Sequence, residues 1–516
     1  MSAALVAALA LAGCGGGGAA DPAQGGGGGE EDRAATLRVG WVVAAGPLDP
    51  HTAASSLAQL PYVFPVYDRL LQVVAGRELK PMVASAWRFA DDGLSVTFTL
   101  RNDVKFHDGT PVDAAAVAAS LNRAKTLPAS TVRGQLEMVK EVVVVDPQTL
   151  RIDTSRPAAD LPYVLASPVG SIINPAALNN TDLDRVPAGS GPYTVVDLKL
   201  GDRVVYERAP GYWDPEAQKV ARIELRGIPN DNARFSALRS GELDVVQTLG
   251  TEGAQLAGLG DEFDFYPTPA AQEYSLFLNT DRPNIDKALV RQALNWAVDR
   301  EAINQGIFDG QCAPTGQPLT AVYAGQGHLE SPPIAYGHDP EQARRLLAQA
   351  GLPDGFELRV MAPAGLSAQI DIATALQAQL AEVGVRLVIE PIDPVQARGE
   401  WKSGTQYDGY VHTRTANPTG ALTLRGTYLQ ASSFPGQLPA GFADAVNSAF
   451  DPTLGDEQVA QVLENASAIA VNEAFDLYLC ANQPGYVATD RVVGVGSMGQ
   501  TDFQGVFDLR YVGVLR

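Results

Sequence analysis

The residues that could do chemistry in this sequence are few and scattered. Its five histidines lack the spacing of metal ligands; they are His51, His107, His328, His338 and His412. The sequence has no G-x-x-x-x-G-K-[ST], H-E-x-x-H, C-x-x-C or G-x-S-x-G motif. A pair of catalytic carboxylates far apart in sequence would leave no such motif, but nothing points to one. We therefore expect no catalytic residue, no metal ligand and no cofactor, and so no enzyme.

Two local motifs resemble functional sites but are better explained as structure. Residues 494–499 read GVGSMG, the glycine spacing of a dinucleotide-binding fingerprint. Such a fingerprint must open a helix so that N–H groups meet the pyrophosphate, whereas a loop-like and strand-like segment follows here. His107 and Asp108 are adjacent beside a glycine, in an ordinary turn sequence where neighbouring side chains seldom face each other. We expect neither a nucleotide site nor a catalytic pair.

Composition and charge exclude several classes of protein. With 516 residues, 46% of them hydrophobic and 19% charged, the chain can bury large cores and form more than one lobe. The formal net charge is −21, and the sequence has no cluster of Lys and Arg residues that could bind a phosphate backbone. We therefore expect no nucleic-acid partner. No stretch reaches the roughly 18–20 apolar residues of a membrane-spanning helix.

The three cysteines differ in their sequence context. Cys14 follows an apolar run from Ala3 to Ala12, about as long as the central segment of a signal peptide, and precedes a glycine-rich tract that predicts a flexible linker. No basic region precedes the run, so we expect the true translation start to lie upstream. Cys312 and Cys480 remain as a pair. Spacing alone does not decide between a disulfide and two buried free thiols.

The elements that must position functional residues alternate between strand-like and helix-like patterns from Thr36 onward. Residues 356–392 read as strand, helix and strand, which predicts a parallel βαβ unit. Residues 139–154 predict a hairpin that turns at Asp146-Pro147. One amphipathic helix is predicted over residues 286–304. The fold class is therefore α/β, with a mixed sheet in each of two lobes.

Five segments, in order, resemble the motifs of extracytoplasmic solute-binding proteins of the peptide/nickel class, family 5. They are WRFADDGLSVTFTLRNDVKFHDGTPVDAAAVAASLNRA from residue 87, GSGPYTVVD…YERAPGYW at 189–213, ARFSALRSGELDVV at 233–246, YSLFLNTDRPNIDKALVRQALNWAVDREAI at 274–303 and YGHDPEQARRLLAQAG at 336–351. Each motif is modestly specific. Because all five occur in the order that the family shows, the resemblance covers roughly residues 36–516.

The resemblance implies a two-lobed fold of the type II periplasmic-binding-protein kind. Lobe I would take residues 36–275 and the return segment 488–516, with an extra subdomain at about 61–175. Lobe II would take residues 276–487. A ligand would bind in the cleft between the lobes, which would close on it by a hinge motion.

The opening stretch L-A-G-C resembles a lipobox. Residues 1–13 would then be a signal peptide, and the Cys14 thiol would carry a diacylglycerol group. Residues 14–35 would tether the body to the outer face of the cell membrane, on the periplasmic side or at the cell surface. The alternative is a plain secretory cleavage site with an incidental cysteine.

The resemblance implies the substrate-binding receptor of an importer of the ATP-binding-cassette (ABC) type. Such a receptor, expected as a monomer, captures an oligopeptide or similar small polar solute and delivers it to membrane permease subunits served by a separate ATPase. Two alternatives stay open: a lipoprotein that senses its ligand for a membrane partner, and a binder of a metal chelate or an oligosaccharide. The missing nucleophile and metal motifs disfavour an extracellular hydrolase.

Residues 407–422, YDGYVHTRTANPTGAL, resemble the family's loop on the lobe II wall of the cleft. In peptide binders an acidic residue there meets the ligand's α-amine. This chain has Asn417 instead, which weakens a dipeptide assignment. Nickel-type members carry a histidine where this chain has Thr419 and Gly420, which disfavours nickel.

Four further residues are candidates for contacting the ligand. Arg414 could bind a carboxylate or phosphate through two parallel N–H bonds. His412 could donate to the same group or ligate a chelated metal, and Tyr274 and Trp401 could stack on a ligand. If Arg414 binds the ligand, Arg414→Ala should weaken binding by about 2 kcal/mol or more without unfolding the protein. The alternatives are a lobe-closing salt bridge for Arg414 and core positions for the aromatic residues.

Overall fold

The computed structural model describes residues 29–516 with short gaps. The gaps are residues 53–58, 75–77, 180–181, 251, 269–271, 405, 416, 430–433, 483, 497–499 and 502–505. The predicted signal peptide, the predicted lipidation site Cys14 and residues 15–28 of the predicted linker lie outside the described residues.

The strands of the described residues fall into two large sheets and several small ones. In chain order they are β1 Thr36–Trp41, β2 Leu71–Val73, β3 Leu79–Pro81, β4 Ala84–Phe89, β5 Ser95–Leu100, β6 Val139–Asp146, β7 Thr149–Thr154, β8 Tyr193–Lys199, β9 Arg203–Arg208, β10 Arg222–Gly227, β11 Val245–Thr248, β12 Phe263–Pro267, β13 Gln272–Leu278, β14 Cys312–Pro314, β15 Phe356–Pro363, β16 Val385–Ile392, β17 Gly409–Thr415, β18 Asp476–Asn482, β19 Gly485–Thr489, β20 Val492–Val493, β21 Gln500–Thr501, β22 Val506–Phe507 and β23 Gly513–Val514.

The helices of the same residues are mostly short and connect these strands. They are α1 Leu60–Val63, α2 Ala114–Thr126, α3 Leu161–Leu165, α4 Asp231–Arg239, α5 Gly253–Ala257, α6 Ala288–Trp296, α7 Arg300–Phe308, α8 Pro340–Gln349, α9 Ser367–Ala381, α10 Pro394–Ser403, α11 Gly420–Leu424, α12 Phe442–Ser448 and α13 Asp456–Asn472. Within the described ranges, no helix combines the length and the apolar character that crossing a membrane requires.

Lobe I is built on a seven-stranded sheet. Its order is β12-β19-β11-β1-β10-β9-β8. β1 runs parallel to β10 and β11, whereas β9 pairs antiparallel with β10, so the sheet is mixed as predicted. Leu37 and Val39 alternate along β1 and are fully buried, because every second side chain of a strand points to the same face.

A separate subdomain packs beside this sheet. Its four strands have the order β4-β5-β7-β6, and β6 and β7 form the hairpin predicted at residues 139–154. Helix α2 lies on the sheet, with Val117 and Leu121 in a core that extends from Leu70 to Ile172. Asp113 begins α2 by accepting a hydrogen bond from the Ala116 N–H, which satisfies one of the free donors of the first turn.

Lobe II is built on a six-stranded sheet with the order β14-β18-β13-β17-β15-β16. β15 and β16 pair in parallel and are joined through α9, which confirms the predicted βαβ unit. β13 pairs antiparallel with β17 on one side and with β18 on the other. The α/β class with a mixed sheet in each lobe is confirmed.

The chain passes between the two large sheets at two places. β12 belongs to the lobe I sheet and β13 to the lobe II sheet, so the first passage lies between Pro267 and Gln272. The second lies between Asn482 and Gly485, because β18 and β19 belong to different sheets. Both passages therefore lie a few residues before the lobe boundaries that the sequence predicted, 275/276 and 487/488.

The single helix predicted over residues 286–304 is wrong, because the chain forms two helices there. α6 ends at Trp296 and α7 begins at Arg300. The Asp299 carboxylate accepts a hydrogen bond from the Ala302 N–H, so it caps a new helix instead of continuing the first. Leu289 on α6 is 37% exposed.

Cys312 and Cys480 form a disulfide inside lobe II. The bond links β14 to its neighbour β18 and encloses a long loop, since the two cysteines lie 168 residues apart in sequence. Closing a long loop removes conformational freedom from the unfolded chain, which favours the folded state.

We expect a chain that begins after Cys14 to show no titratable thiol when it is unfolded without reductant, and two after reduction. Replacing both cysteines by serine should lower the free energy of unfolding by roughly 2–5 kcal/mol. Thiol titration and urea unfolding measure these outcomes. Two reactive thiols in the unreduced protein would show that the bond does not form.

Candidate functional site

A cavity of about 1230 Å³ lies between the subdomain of lobe I and the sheet of lobe II. Pockets that enclose small ligands measure about 300–1,000 Å³, so this one has room for a solute the size of a short peptide. The subdomain wall comprises Gly134, Gln135, Glu137, Met138, Ser155, Arg156 and Val164. The lobe II wall comprises Phe277, Gly399, Trp401, Lys402, Tyr410, His412, Thr413, Arg414, Asn417, Leu422, Arg425, Gly426, Thr427, Leu429, Leu438, Ala443 and Asn447.

Strand β17 supplies the centre of the lobe II wall. Tyr410, His412 and Arg414 occupy alternate positions of β17 and all line the cavity, because successive side chains of a strand point to opposite faces. Their direct partners across the β13–β17 ladder are Phe277, Ser275 and Glu273, in that order. Cross-strand neighbours of this kind contact one another. Three side-chain pairs on two strands thus form one continuous face.

Aromatic rings make up the part of this face around Tyr410 and His412. The rings of Tyr410 and His412 stack, with centroids 4.6 Å apart and planes 16° from parallel. The edges of this pair contact Phe277, whose centroid is 5.8 Å from His412, and Trp401, which is 5.8 Å from Tyr410. Trp401 is 3% exposed and still borders the cavity, so it supports the wall more than it reaches into the cleft.

Arg414 is held by buried groups of its own lobe. Its Nη1 donates to Glu273 at 2.7 Å, and its Nη2 donates to Asp476 at 2.5 Å and to the Tyr428 hydroxyl at 3.1 Å. Both carboxylates sit on strands of the lobe II sheet. The structure therefore gives Arg414 an ion pair within lobe II and not one that closes the lobes.

The charges of this cluster depend on each other. Burial works against the charge of Arg414, but Glu273 and Asp476 outweigh it and hold its pKa well above the usual value. Burial raises the pKa of Glu273 to about 7 and also raises the pKa of Asp476, in both cases against the attraction of Arg414. One guanidinium faces two carboxylates, so Glu273 keeps its proton until the pH approaches neutrality.

The other predicted ligand contacts are placed as follows. His412, Asn417 and Trp401 border the cavity together with Arg414. Tyr274 does not; it packs against Phe308 in the lobe II core, with ring centroids 4.9 Å apart. Tyr274 lies between Glu273 and Ser275 on β13, so the alternation of the strand turns it to the face opposite the cavity. The backbone of Asn417 is fixed by hydrogen bonds to Thr423 and Tyr323.

Two basic residues that the sequence did not single out also line the cavity. Arg156 follows β7 on the subdomain wall, and Arg425 follows α11 on the opposite wall. Arg425 begins a π-helical turn over Arg425–Leu429, a local irregularity that often occurs at functional sites. No local pattern marks either residue, because each becomes a site residue only when the two walls meet.

The local motifs discounted in the sequence have structural partners. His107 Nε2 lies 2.9 Å from the Gly191 carbonyl, while Asp108 accepts hydrogen bonds from the Thr110 N–H and the Asn174 amide. The described part of 494–499, residues 494–496, follows strand β20. Over the described ranges, no three His, Cys, Asp or Glu side chains are grouped to hold a metal ion.

Two lobes on separate mixed sheets, with a cavity between them, define the class of type II periplasmic binding proteins. Solved structures share this fold. The binding protein AgaA of A. tumefaciens R10, in complex with agropinic acid, superposes with a TM-score of 0.79 at 23% identity and covers 93% of this chain and 99% of its own. The binding protein DppA of Helicobacter pylori, in complex with the peptide STSA, gives a TM-score of 0.78 at 21% identity, with 94% and 98% covered.

Sequence similarity identifies the family. Residues 78–435 match the model of the bacterial extracellular solute-binding proteins, family 5. The glutathione-binding protein GsiB of Salmonella paratyphi A is 31% identical over 385 residues, which are 72% of this chain and 74% of GsiB. The chain belongs to family 5 of the extracellular solute-binding proteins, which are the solute receptors of ABC importers and whose known members act in transport, not as enzymes.

The Arg414 cluster predicts a large cost for one substitution. Arg414→Ala would leave Glu273 and Asp476 buried without their cation, which costs about 3–5 kcal/mol of the free energy of unfolding. Urea unfolding measures this loss. The matched control is Arg386→Ala on β16, where an exposed ion pair with Glu357 contributes at most about 1 kcal/mol. A loss below 1 kcal/mol for Arg414→Ala, with ligand binding weakened instead, would favour a direct ligand contact.

The same cluster predicts a pH dependence of stability. The pKa of Glu273 is raised from 4.5 to about 7 in the folded state, so folding favours the protonated carboxyl. Its contribution to stability is therefore fully present below about pH 4.5 and is lost as the pH rises through about 7. Urea unfolding between pH 5 and 8 should show that Glu273→Gln becomes more stable relative to the wild type as the pH rises. A difference that does not change with pH would contradict the assignment.

Proposed function

We propose that the cavity between the lobes binds a small solute with at least one acidic group, such as a short peptide or glutathione. The protein would hand this solute to the permease subunits of an ABC importer, powered by a separate ATPase. The observation that carries the proposal is the charge of the cavity lining. Four of its side chains are basic, Arg156, Lys402, Arg414 and Arg425, and one is acidic, Glu137.

This lining contrasts with the rest of the molecule. The chain carries a net charge of −21, so a basic cavity is not a by-product of its composition. Arg414 is neutralised by Glu273 and Asp476, and Arg425 is paired with Asp160, which leaves Arg156 and Lys402 as the lining cations without an ion pair among the described residues. Charges of one sign that line a cleft attract an opposite charge more strongly than the same charges on an open surface.

The lining also matches the remaining parts of a peptide-like solute. Glu137 on the subdomain wall could pair with an amino group, a role that Asn417 lacks the charge to fill. The aromatic face of Phe277, Tyr410 and His412 could contact an apolar or planar part. In this proposal the wall of the cavity includes Arg414, His412, Trp401 and Asn417. Arg414 stabilises that wall through its buried ion pairs.

The names of the similar proteins agree with an acidic solute. They specify glutathione, agropinic acid and a peptide, and each of these molecules carries a carboxylic acid. A neutral oligosaccharide would offer Arg156 and Lys402 no opposite charge, and covering these cations without such a charge costs free energy. We therefore place an acidic peptide-like solute ahead of the oligosaccharide.

The proposal includes the location and the state of the protein. We propose that residues 1–13 are removed as a signal peptide and that Cys14 carries lipid, which would hold a monomeric receptor at the outer face of the cell membrane. The receptor would perform no chemistry on the solute. Labelling cells with a radioactive fatty acid tests the anchor, since Cys14→Ser should abolish incorporation.

Thermal unfolding with a panel of solutes tests the ligand class. We expect glutathione or a tripeptide to raise the midpoint, because a ligand at 100 times its Kd adds about 2.7 kcal/mol of stability. A neutral trisaccharide of similar size is the matched control and should leave the midpoint unchanged. Stabilisation by the trisaccharide alone would overturn the proposed ligand class.

A further inference from the structure

Two cationic side chains from opposite walls of the cavity converge on one aromatic ring. The guanidinium carbon of Arg425 lies 4.0 Å from the ring centroid of Phe450, and that of Arg156 lies 5.7 Å from the same centroid. Arg156 belongs to the subdomain wall and Arg425 to the lobe II wall. Phe450 thus marks a place where both lobes bring a positive charge to the edge of the cavity.

The lobes contact each other directly at this place. The Ala159 N–H donates to the Phe450 carbonyl at 3.0 Å, and Arg425 donates through Nη2 to the carboxylate of Asp160. Ala159 and Asp160 follow Arg156 on the subdomain wall. The Asp160 carboxylate is 1% exposed and the Arg425 side chain 15%, so the ion pair is largely removed from water.

Asp160 and Arg425 form one hydrogen bond where their side chains could form two. Within the part of the chain that the structure describes, neither Arg425 Nη1 nor Asp160 Oδ1 has a hydrogen-bond partner. A guanidinium and a carboxylate can form two parallel hydrogen bonds, and buried polar atoms without a partner cost free energy. Arg425, whose side chain lines the cavity, therefore keeps a buried donor that the ion pair with Asp160 does not use.

The charges at this place do not balance. Among the described residues Arg156 forms no ion pair; its side chain donates only to the Pro157 carbonyl, at 3.2 Å. Its pKa is lowered, first by burial and then by repulsion from Arg425. Two guanidinium groups share one carboxylate, so a second carboxylate at this place would be attracted by both.

We propose that Arg156 and Arg425 form the subsite for a carboxylate of the solute, and that Asp160 occupies Arg425 when this carboxylate is absent. The carboxylate would enter from the cavity, bind both guanidinium groups and displace Asp160 from Arg425. Asp160 is thus an internal competitor for the same cation. The inference rests on the proposed function, since it locates the acidic group of the solute inside the cavity.

The proposal predicts opposite effects for neighbouring residues. Arg156→Gln and Arg425→Gln each remove a cation of the subsite and should weaken binding of an acidic solute at least tenfold. Asp160→Asn keeps the shape and removes the competing charge, so it should strengthen binding several-fold. A residue that merely supports the fold would weaken binding when it is replaced, so the sign of the Asp160→Asn effect separates the two roles.

Calorimetric titration of the full chain with two matched pairs of probes tests the proposal. The pairs are glutathione and its diethyl ester, and trialanine and trialanine amide, which differ in their carboxylates and keep the amine. We expect the wild type to bind an acid more tightly than its ester or amide, and the Gln variants to lose this preference. Arg386→Gln on the exposed face of β16 is the control and should bind like the wild type. Arg425→Lys, which keeps the charge but loses the paired donors, replaces Arg425→Gln if the latter does not fold.

The outcomes distinguish the subsite from the proposed function. Binding of acid and amide with equal affinity by the wild type, or unchanged affinity of the Arg variants, overturns the subsite and leaves a solute receptor. Weaker binding by Asp160→Asn overturns the role of Asp160 as a competitor. If none of the four probes binds the wild type, the proposed ligand class is overturned, and the subsite with it.

Discussion

The buried ion cluster around Arg414 fixes the wall on which the rest of the cavity depends. Its guanidinium on β17 joins Glu273 on β13 and Asp476 on β18, three neighbouring inner strands of the lobe II sheet. Breaking such a buried cluster is costly because it leaves uncompensated charges. The cluster thereby holds the face of β17 toward the cleft, with Tyr410 and His412 stacked beside it.

The second determinant is that the cavity walls belong to two bodies with separate cores. The subdomain wall rests on the core from Leu70 to Ile172, whereas the opposite wall rests on the cores of lobe II. Among the described strands, the chain passes from one large sheet to the other between β12 and β13 and again between β18 and β19. Contacts across the cleft, such as those at Phe450, can therefore change when the lobes move without disrupting either core.

Much of the fold was accessible from the sequence, because it depends on local patterns. Alternation and turn residues predicted the β6–β7 hairpin, and the strand–helix–strand pattern at 356–392 predicted a parallel unit. The helix over 286–304 was predicted as one because its hydrophobic period continues across the break. The capping role of Asp299 became clear only from its hydrogen bond to the Ala302 N–H.

The candidate site was accessible only in part. Motif resemblance led to the segment that contains His412, Arg414 and Asn417, all of which line the cavity. It did not reveal that Arg414 is bound by Glu273 and Asp476, because these carboxylates lie on strands distant in sequence. Arg156 and Arg425 were missed for the same reason: they meet only where two lobes approach, and no pattern along the chain records that approach.

The most direct test of an acidic-solute receptor is native mass spectrometry of the protein purified without added ligand. We expect one small molecule per chain, which is released on activation and carries a carboxylic acid. Release of a neutral sugar or of a metal ion without an acidic chelator would contradict it, because neither would use the cations that face the cavity.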